Sequence, residues 1–200
     1  MARLSPAARR VAIIDATLAV MQRKGIAATT VRDVAQEMGT SPGLVHHYFS
    51  SMDELIATAF ELAAGEGYET TKAAIAAAET PVDRLRATFS TYTRTEQDWA
   101  FQLWLDAWAE AARRPVLQET SKRLNVAWQQ MIVEVIRDGV EAGVFRCADP
   151  EAAAWRIMSL LDGLALQTVA HPSVVDRAAV VEWSLGYAES QVGLEPGTLS

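Results

Sequence analysis

The chain has 200 residues but a single cysteine, Cys147, and only three histidines, His46, His47 and His171. One cysteine excludes an internal disulfide, and so few soft ligands exclude a cysteine–histidine metal cluster; a reducing compartment is the natural setting. Long apolar runs are missing as well. Nowhere do about 20 uncharged apolar residues follow one another, as a bilayer crossing requires. The amino-terminal stretch Met1-Ala2-Arg3-Leu4-Ser5-Pro6-Ala7 holds no apolar core of an export signal. A chain that stays in the cytoplasm is expected. Strand signals are also absent, because no segment alternates apolar and polar residues for long and no two-residue hairpin turn joins two such segments. Nor is there a G-x-S-x-G elbow, an H-E-x-x-H pair or a phosphate-cradling P-loop. Acids are plentiful, yet scattered carboxylates are not a catalytic pair. Neither an enzyme nor a bound cofactor is expected.

What is present is half hydrophobic, enough to bury a core without disulfides or metals. Helix signals recur along it. Ser5-Pro6, Ser41-Pro42, Thr80-Pro81 and Asp149-Pro150 each set a side-chain acceptor before a proline, which suits an N-cap followed by a first helical residue that needs no N–H. Gly25, Gly39 and Gly143 stand where helices should stop. The marks predict helices near 6–24, 31–38, 42–48, 52–78, 81–96, 99–113, 116–142, 150–170 and 174–191, with slack at Gly65-Glu66-Gly67 and a frayed tail over Gly193–Ser200. The expected fold is all-α with about nine helices: an N-terminal three-helix bundle, residues 1–50, and a C-terminal helical body, residues 51–200.

Charge divides at the same place. The net −7 is made of about +3 over residues 1–50 and −10 over the rest. A mildly basic head on an acidic body fits a nucleic-acid module joined to something else, and chance asymmetry fits equally well. The head carries a sharper signal. Val11, Ile14, Leu18 and Met21 form one stripe on helix one. Thr30 can cap a short second helix with Asp33 at its third position, and Ser41 can cap a very short third. Two short helices around a three-residue turn containing Gly39 make a helix-turn-helix, whose second helix enters the major groove.

The run Gly25…Thr29-Thr30-Val31-Arg32-Asp33-Val34-Ala35…Gly39-Thr40-Ser41-Pro42-Gly43-Leu44-Val45-His46-His47-Tyr48-Phe49-Ser50-Ser51-Met52-Asp53-Glu54-Leu55 resembles the TetR/AcrR family of bacterial regulators. The resemblance implies that Thr29, His47 and Tyr48 hold phosphates while Pro42, Gly43, Val45 and His46 face bases. Thr30, Arg32 and Ser41 complete the candidate DNA-contacting set. Arg3, Arg9 and Arg10 are placed to follow the backbone or reach a minor groove. Leu44 and Phe49 are expected to pack inward. For the two histidines, ordinary exposed polarity is the plainer alternative. The family usually has a lysine where this chain has Met52, and its loss should weaken phosphate contact somewhat.

The body is rich in tryptophan. Phe101, Trp104 and Trp108 recur at helical spacing, as do Leu124, Trp128, Met131 and Val135. Such stripes serve either as core or as the lining of an apolar cavity for a small molecule. The helix near 150–170 is apolar on two faces and should be buried on both. One face, Ile157, Leu161, Leu164 and Thr168, is the candidate dimer face, joined by Trp183 and Tyr187 from the last helix; the other sets Asp162 among Trp155, Met158 and Ala165. A buried carboxylate needs a partner or a raised pKa. Either Asp162 pairs with an arginine such as Arg137 or caps backbone, or it meets a cationic or hydrogen-bonding ligand beside Trp155. Gly139–Arg146 and Asp162-Gly163-Leu164-Ala165-Leu166 are similar to the C-terminal domain of the choline-responsive BetI branch, a similarity that does not carry choline over.

Together these readings imply a homodimeric regulator, a repressor by resemblance, binding palindromic operator DNA and released by a small-molecule effector. A DNA-binding protein with no ligand is the alternative from another class.

Overall fold

The computed structural model describes residues 5–90, 98–171 and 174–200. Among them are nine helices and no strand: α1 (Pro6–Lys24), α2 (Val31–Glu37), α3 (Pro42–Tyr48), α4 (Met52–Ala77), α5 (Pro81–Ala87), α6 (Asp98–Ala111), α7 (Pro115–Glu141), α8 (Pro150–Ala170) and α9 (Arg177–Val192). The all-α expectation holds. Caps explain most of the boundaries. The side chains of Ser5, Thr80, Asp149 and Asp176 each accept from a backbone N–H three residues on, satisfying a donor that the first helical turn leaves open. Thr30 and Asp33 close a full capping box at α2. Ser41 occupies the N-cap of α3 but makes no side-chain cap bond, contrary to expectation.

The structure departs from the sequence reading in α5, α9 and α4. The helix expected over 81–96 ends at Ala87, and its last predicted residues lie outside the described set. The last helix begins at Arg177, where Asp176 caps it. Helix α4 passes through Gly65-Glu66-Gly67 without interruption.

The chain forms two compact units. The first comprises the residues up to Gly65 together with Gln102–Leu124, and the second Glu66–Phe101 with Asn125–Ser200. In the first, Ile13, Val20, Ile26, Val34, Val45, Leu55, Ile56 and Phe60 are almost wholly buried. The stripe of α1 is rotated from the predicted one: Ile13, Thr17 and Val20 point inward with Ile14 and Met21, while Val11 is 54% exposed. Thr17 is polar by its side chain, yet its hydroxyl donates to the Ile13 carbonyl (2.8 Å), which lets it face the core.

The second unit centres on Leu85, Phe89, Ile132, Ile136, Phe145, Ile157, Met158, Leu161 and Val192. The expected frayed tail is instead part of this core. Glu189, itself buried, accepts from the N–H groups of Gly197 (3.0 Å) and Leu199 (2.6 Å). Arg86 donates to the carbonyls of Thr198 and Leu199, both at 2.9 Å. Leu199 is thereby sealed at 0% exposure, worth about 2 kcal/mol of apolar burial.

Gly139 shows how tightly the unit is packed. Its carbonyl accepts from both Val144 and Phe145 N–H (2.9 Å each) as the chain reverses after α7, and a Cβ on Gly139 would land on the Phe145 ring. Phe145 is buried and cannot swing clear. Gly139→Ala is expected to destabilise the fold by about 1–3 kcal/mol, measured by urea denaturation with an unchanged m-value.

Candidate nucleic-acid interface and effector residues

Helix α3 has seven residues, and its two sides are set by two buried anchors one turn apart, Val45 and Phe49. Leu44 is only half buried. The sequence reading places Val45 toward bases; at 1% exposure it belongs to the core instead. The opposite side presents Pro42, Gly43, His46 and His47, all exposed, with Tyr48 half buried at the end and the His47 ring edge-on to Tyr48 (centroids 5.2 Å). Residues at i, i+1, i+4 and i+5 share one helix face, so these four form a continuous exposed strip.

The flanking candidates separate into two groups. Thr29 is 3% exposed and its hydroxyl donates to the Gly25 carbonyl (2.7 Å), so it braces the α1–α2 turn and is not open to phosphate. Thr30 spends its hydroxyl on Asp33, accepting from the N–H at 3.3 Å and donating to Oδ2 at 2.7 Å. Arg32 and Ser41 are exposed. Arg3 lies outside the described residues.

Arg10 is a brace. Its guanidinium donates to the Tyr48 carbonyl (3.0 Å), lies 4.1 Å over the Phe49 ring and reaches Glu54 at 3.8 Å. It therefore ties α1 to the end of α3 and to the start of α4. Glu54 also accepts from the hydroxyl and N–H of Ser50, bonds that hold its carboxyl below the usual carboxylate range. No local sequence signal marks this role for Arg10, because its partners lie 38 residues or more away.

The positive charge of the head is largely spoken for. Arg23 pairs with Glu37 and Lys24 with Asp33, both at 2.5 Å. The Lys24 bond, aided by Thr30, lowers the pKa of Asp33. Among the described head residues, Arg9 and Arg32 have no carboxylate partner.

The effector candidates fall in both units. Trp104 and Trp108 belong to the first, with Trp104 edge-on to Phe60 (4.9 Å) and tilted against Trp108 (5.5 Å). The rest belong to the second. The Arg177 guanidinium lies 5.8 Å from the Phe101 ring centroid, and Trp128 meets Tyr68, a residue that sequence reasoning does not single out, edge-on at 5.5 Å. Met131 and Met158 are buried, and Trp155 is 40% exposed. Asp162 has no hydrogen-bond or ion-pair partner among the described residues, since Arg137 pairs with Glu151 instead. Burial raises the Asp162 pKa to about 7.

The candidate dimer face is corrected in part. Ile157 and Leu161 sit inside the core of the second unit and cannot present themselves to a partner. Leu164 and Tyr187 are half buried against that core, and the Thr168 hydroxyl donates to Ala165 O (2.8 Å). Trp183 is 51% exposed. The outward stripe of α8 is instead Trp155, Ser159, Gly163 and Leu166; on α9, which packs against α8, Trp183, Gly186 and Ser190 are outward.

Comparison with known proteins fits this geometry. Residues 13–59 match the family described as bacterial regulatory proteins, tetR family, and residues 81–193 match the BetI-type transcriptional repressor C-terminal family. The chain is 30% identical to the HTH-type transcriptional regulator BetI of Paraburkholderia xenovorans (strain LB400), over 90% of this chain and 92% of that protein. It is 28% identical to the BetI regulator of Rhizobium meliloti (strain 1021), over 92% and 89%. A transcriptional regulator from Pseudomonas aeruginosa PAO1 superposes with a TM-score of 0.82 at 27% identity, covering 94% of this chain and 92% of that one. A regulator from Saccharomonospora viridis, solved in complex with choline, superposes at 0.83 with 23% identity, covering 92% and 96%. The chain belongs to the TetR family of bacterial transcriptional regulators, in its BetI-type branch.

Proposed function

We propose that the protein is a homodimeric repressor that reads a palindromic operator through α3 and releases it on binding a small-molecule effector. Residues 1–50 would be the DNA-reading domain and residues 51–200 the sensing and dimerising one, working in the cytoplasm. The observation that carries this reading is the strip Pro42, Gly43, His46, His47, exposed on one side of a helix whose other side is buried. A helix-turn-helix offers such a strip to base edges in the major groove. Tyr48, Ser41 and Arg32 border it and, with His47, serve the phosphates, with Arg9 reaching the backbone from α1.

Two copies would meet through α8 and α9. Gly163 and Gly186 leave open space where a Cβ would stand, and Trp155, Leu166 and Trp183 supply exposed apolar area around them. Small residues allow close helix approach and large ones supply burial, the combination a four-helix dimer bundle needs. The recognition helices would then lie about 34 Å apart on successive major grooves.

For the effector we favour a small organic molecule bearing a positive charge or a strong hydrogen-bond donor, held in the second unit by Asp162 with Trp128 and Phe101 among the aromatic candidates. A desolvated carboxylate without a partner gains most from such a group. Binding would shift α4 and tilt the heads out of register, with coupling of about 1–3 kcal/mol.

Selection of bound sites from a random duplex library, with affinity followed against salt, tests the DNA reading. A palindrome with half-sites about one turn apart is expected; only weak binding without sequence preference would refute it. On the selected operator, His46→Ala should relax preference at one base position by about 1–3 kcal/mol.

Asp162 generates a pH prediction. Its folded pKa, about 7, exceeds the ordinary 3.8, so the folded state holds the proton more tightly than the unfolded chain. Its contribution is neutral below the lower value, becomes increasingly unfavourable as pH rises between the two, and is fully unfavourable above the higher. Asp162→Asn should therefore gain stability relative to the parent between about pH 5 and about pH 8 in urea melts. A difference independent of pH would contradict the placement.

A further inference from the structure

Residues Gln102–Leu124, the end of α6 and the beginning of α7, form one compact unit with the head. Two contacts within that unit are of a kind that fixes orientation. At one end of the helix-turn-helix, Asp106 of α6 accepts from the Ile26 N–H through Oδ2 (3.3 Å), while Gln102 donates to Oδ1 (2.8 Å) and holds the carboxylate in place. Gly25 makes room for this bond: its φ is +77°, and a Cβ there would stand 3.0 Å from the same oxygen. At the other end, Arg114 donates through Nη1 to Asp53 Oδ1 in the first turn of α4 (2.5 Å) and through Nε to Glu110 Oε2 (3.2 Å). Its side chain is 19% exposed, so solvent screens this pair less than the pair of Arg123 and Glu61, whose side chains are 54% and 50% exposed.

The two contacts bracket the motif in sequence. Ile26 precedes α2 and Asp53 follows α3, so every residue of the helix-turn-helix lies between the two gripped points. A motif held at one end can pivot; held at both, it moves only with whatever holds it. The same α6 seats Trp104 against Phe60.

We propose that Asp106 and Arg114 are positioning residues that set the orientation of the recognition helix, so that the head is carried by the α6–α7 corner and not by α4 alone. The proposal rests on the DNA-binding reading above, and its function in the dimer is to fix half-site spacing. One added base pair moves a half-site by about 3.4 Å and rotates it, which a rigidly held pair of heads cannot follow.

The test compares the parent, Asp106→Ala/Arg114→Ala, and Asp106→Asn on the selected operator and on the same operator with one base pair inserted at its centre. The parent should lose about tenfold or more in affinity on insertion, whereas the double variant should bind both within about threefold. Asp106→Asn keeps an oxygen acceptor for the Ile26 N–H and should retain the parent's discrimination. Melting temperatures report folding of each protein. A DNA-free arm measures amide hydrogen exchange over residues 26–49, expected to quicken several-fold in the double variant and not in Asp106→Asn. A double variant that discriminates spacing like the parent overturns the proposal. If the parent selects no operator, the DNA-binding reading fails separately. Exchange then decides the tethers, and unchanged protection in the double variant overturns them.

Discussion

Seven residues give an α-helix barely two turns, and in water such a segment does not stay helical by itself. Both helices of the recognition motif are this short. Their existence depends on one arrangement: Val45 of α3 and Phe49 at its C-cap, a turn apart, buried as are Val34 of α2 and Ile13 and Val20 of α1. Everything at the DNA-facing surface follows from it. Burying those two side chains determines which way α3 is turned, and so leaves Pro42, Gly43, His46 and His47 outward. Arg10 then covers the Phe49 ring and takes the Tyr48 carbonyl, one of the acceptors that the end of a helix leaves unmet. The exposed strip is thus a by-product of core packing.

Features that depend on neighbours along the chain are legible in the sequence. Thr30 with Asp33, Thr80 before Pro81 and Asp149 before Pro150 act over three residues, and each serves as a cap in the folded protein. Features that depend on distant partners are not legible in this way. Val45 and Leu44 are both apolar and adjacent, so local pattern does not say which faces inward; the choice is made by α1 and α2. Val11 fits an apolar stripe as well as Ile13 does, until the actual packing rotates α1 by about one residue. The tail reads as frayed because it ends in Gly, Pro and small polar residues. Glu189 and Arg86 capture it through backbone groups, which no side-chain pattern advertises. The same blindness hides Tyr68, whose partner Trp128 lies 60 residues on.

Of the candidate site, the DNA-facing half is more legible than the sensing half, for a physical reason. A groove-reading helix is exposed and locally framed by caps and glycine, so its position follows from short-range rules. A sensing surface is assembled from helices far apart in the chain. Periodicity identifies the aromatic and sulfur-bearing residues but does not separate those that pack as core, such as Met158, from those that remain accessible, such as Trp155. Asp162 stands out because an acid in an apolar stripe violates the pattern, and the structure gives that violation a cost rather than a partner.

Charge bears on how such a protein finds its site. By residue count the head is basic, but Arg23 and Lys24 are committed to Glu37 and Asp33, and Arg10 lies against Glu54. Met52, the first residue of α4, adds no charge. Among the described head residues only Arg9 and Arg32 keep a positive charge without a carboxylate partner, on a molecule that is negative overall. Phosphate attraction supplies most of non-specific DNA binding, so a head with few free cations holds random DNA weakly. On the proposed dimer the discriminating contacts would rest on the α3 strip, and base contacts from two such strips would add only when both are correctly oriented at once. A dimer with so little electrostatic slack would need its heads held firmly. The bonds that hold Ile26 and Asp53 at either end of the motif belong to the same economy as the missing charge.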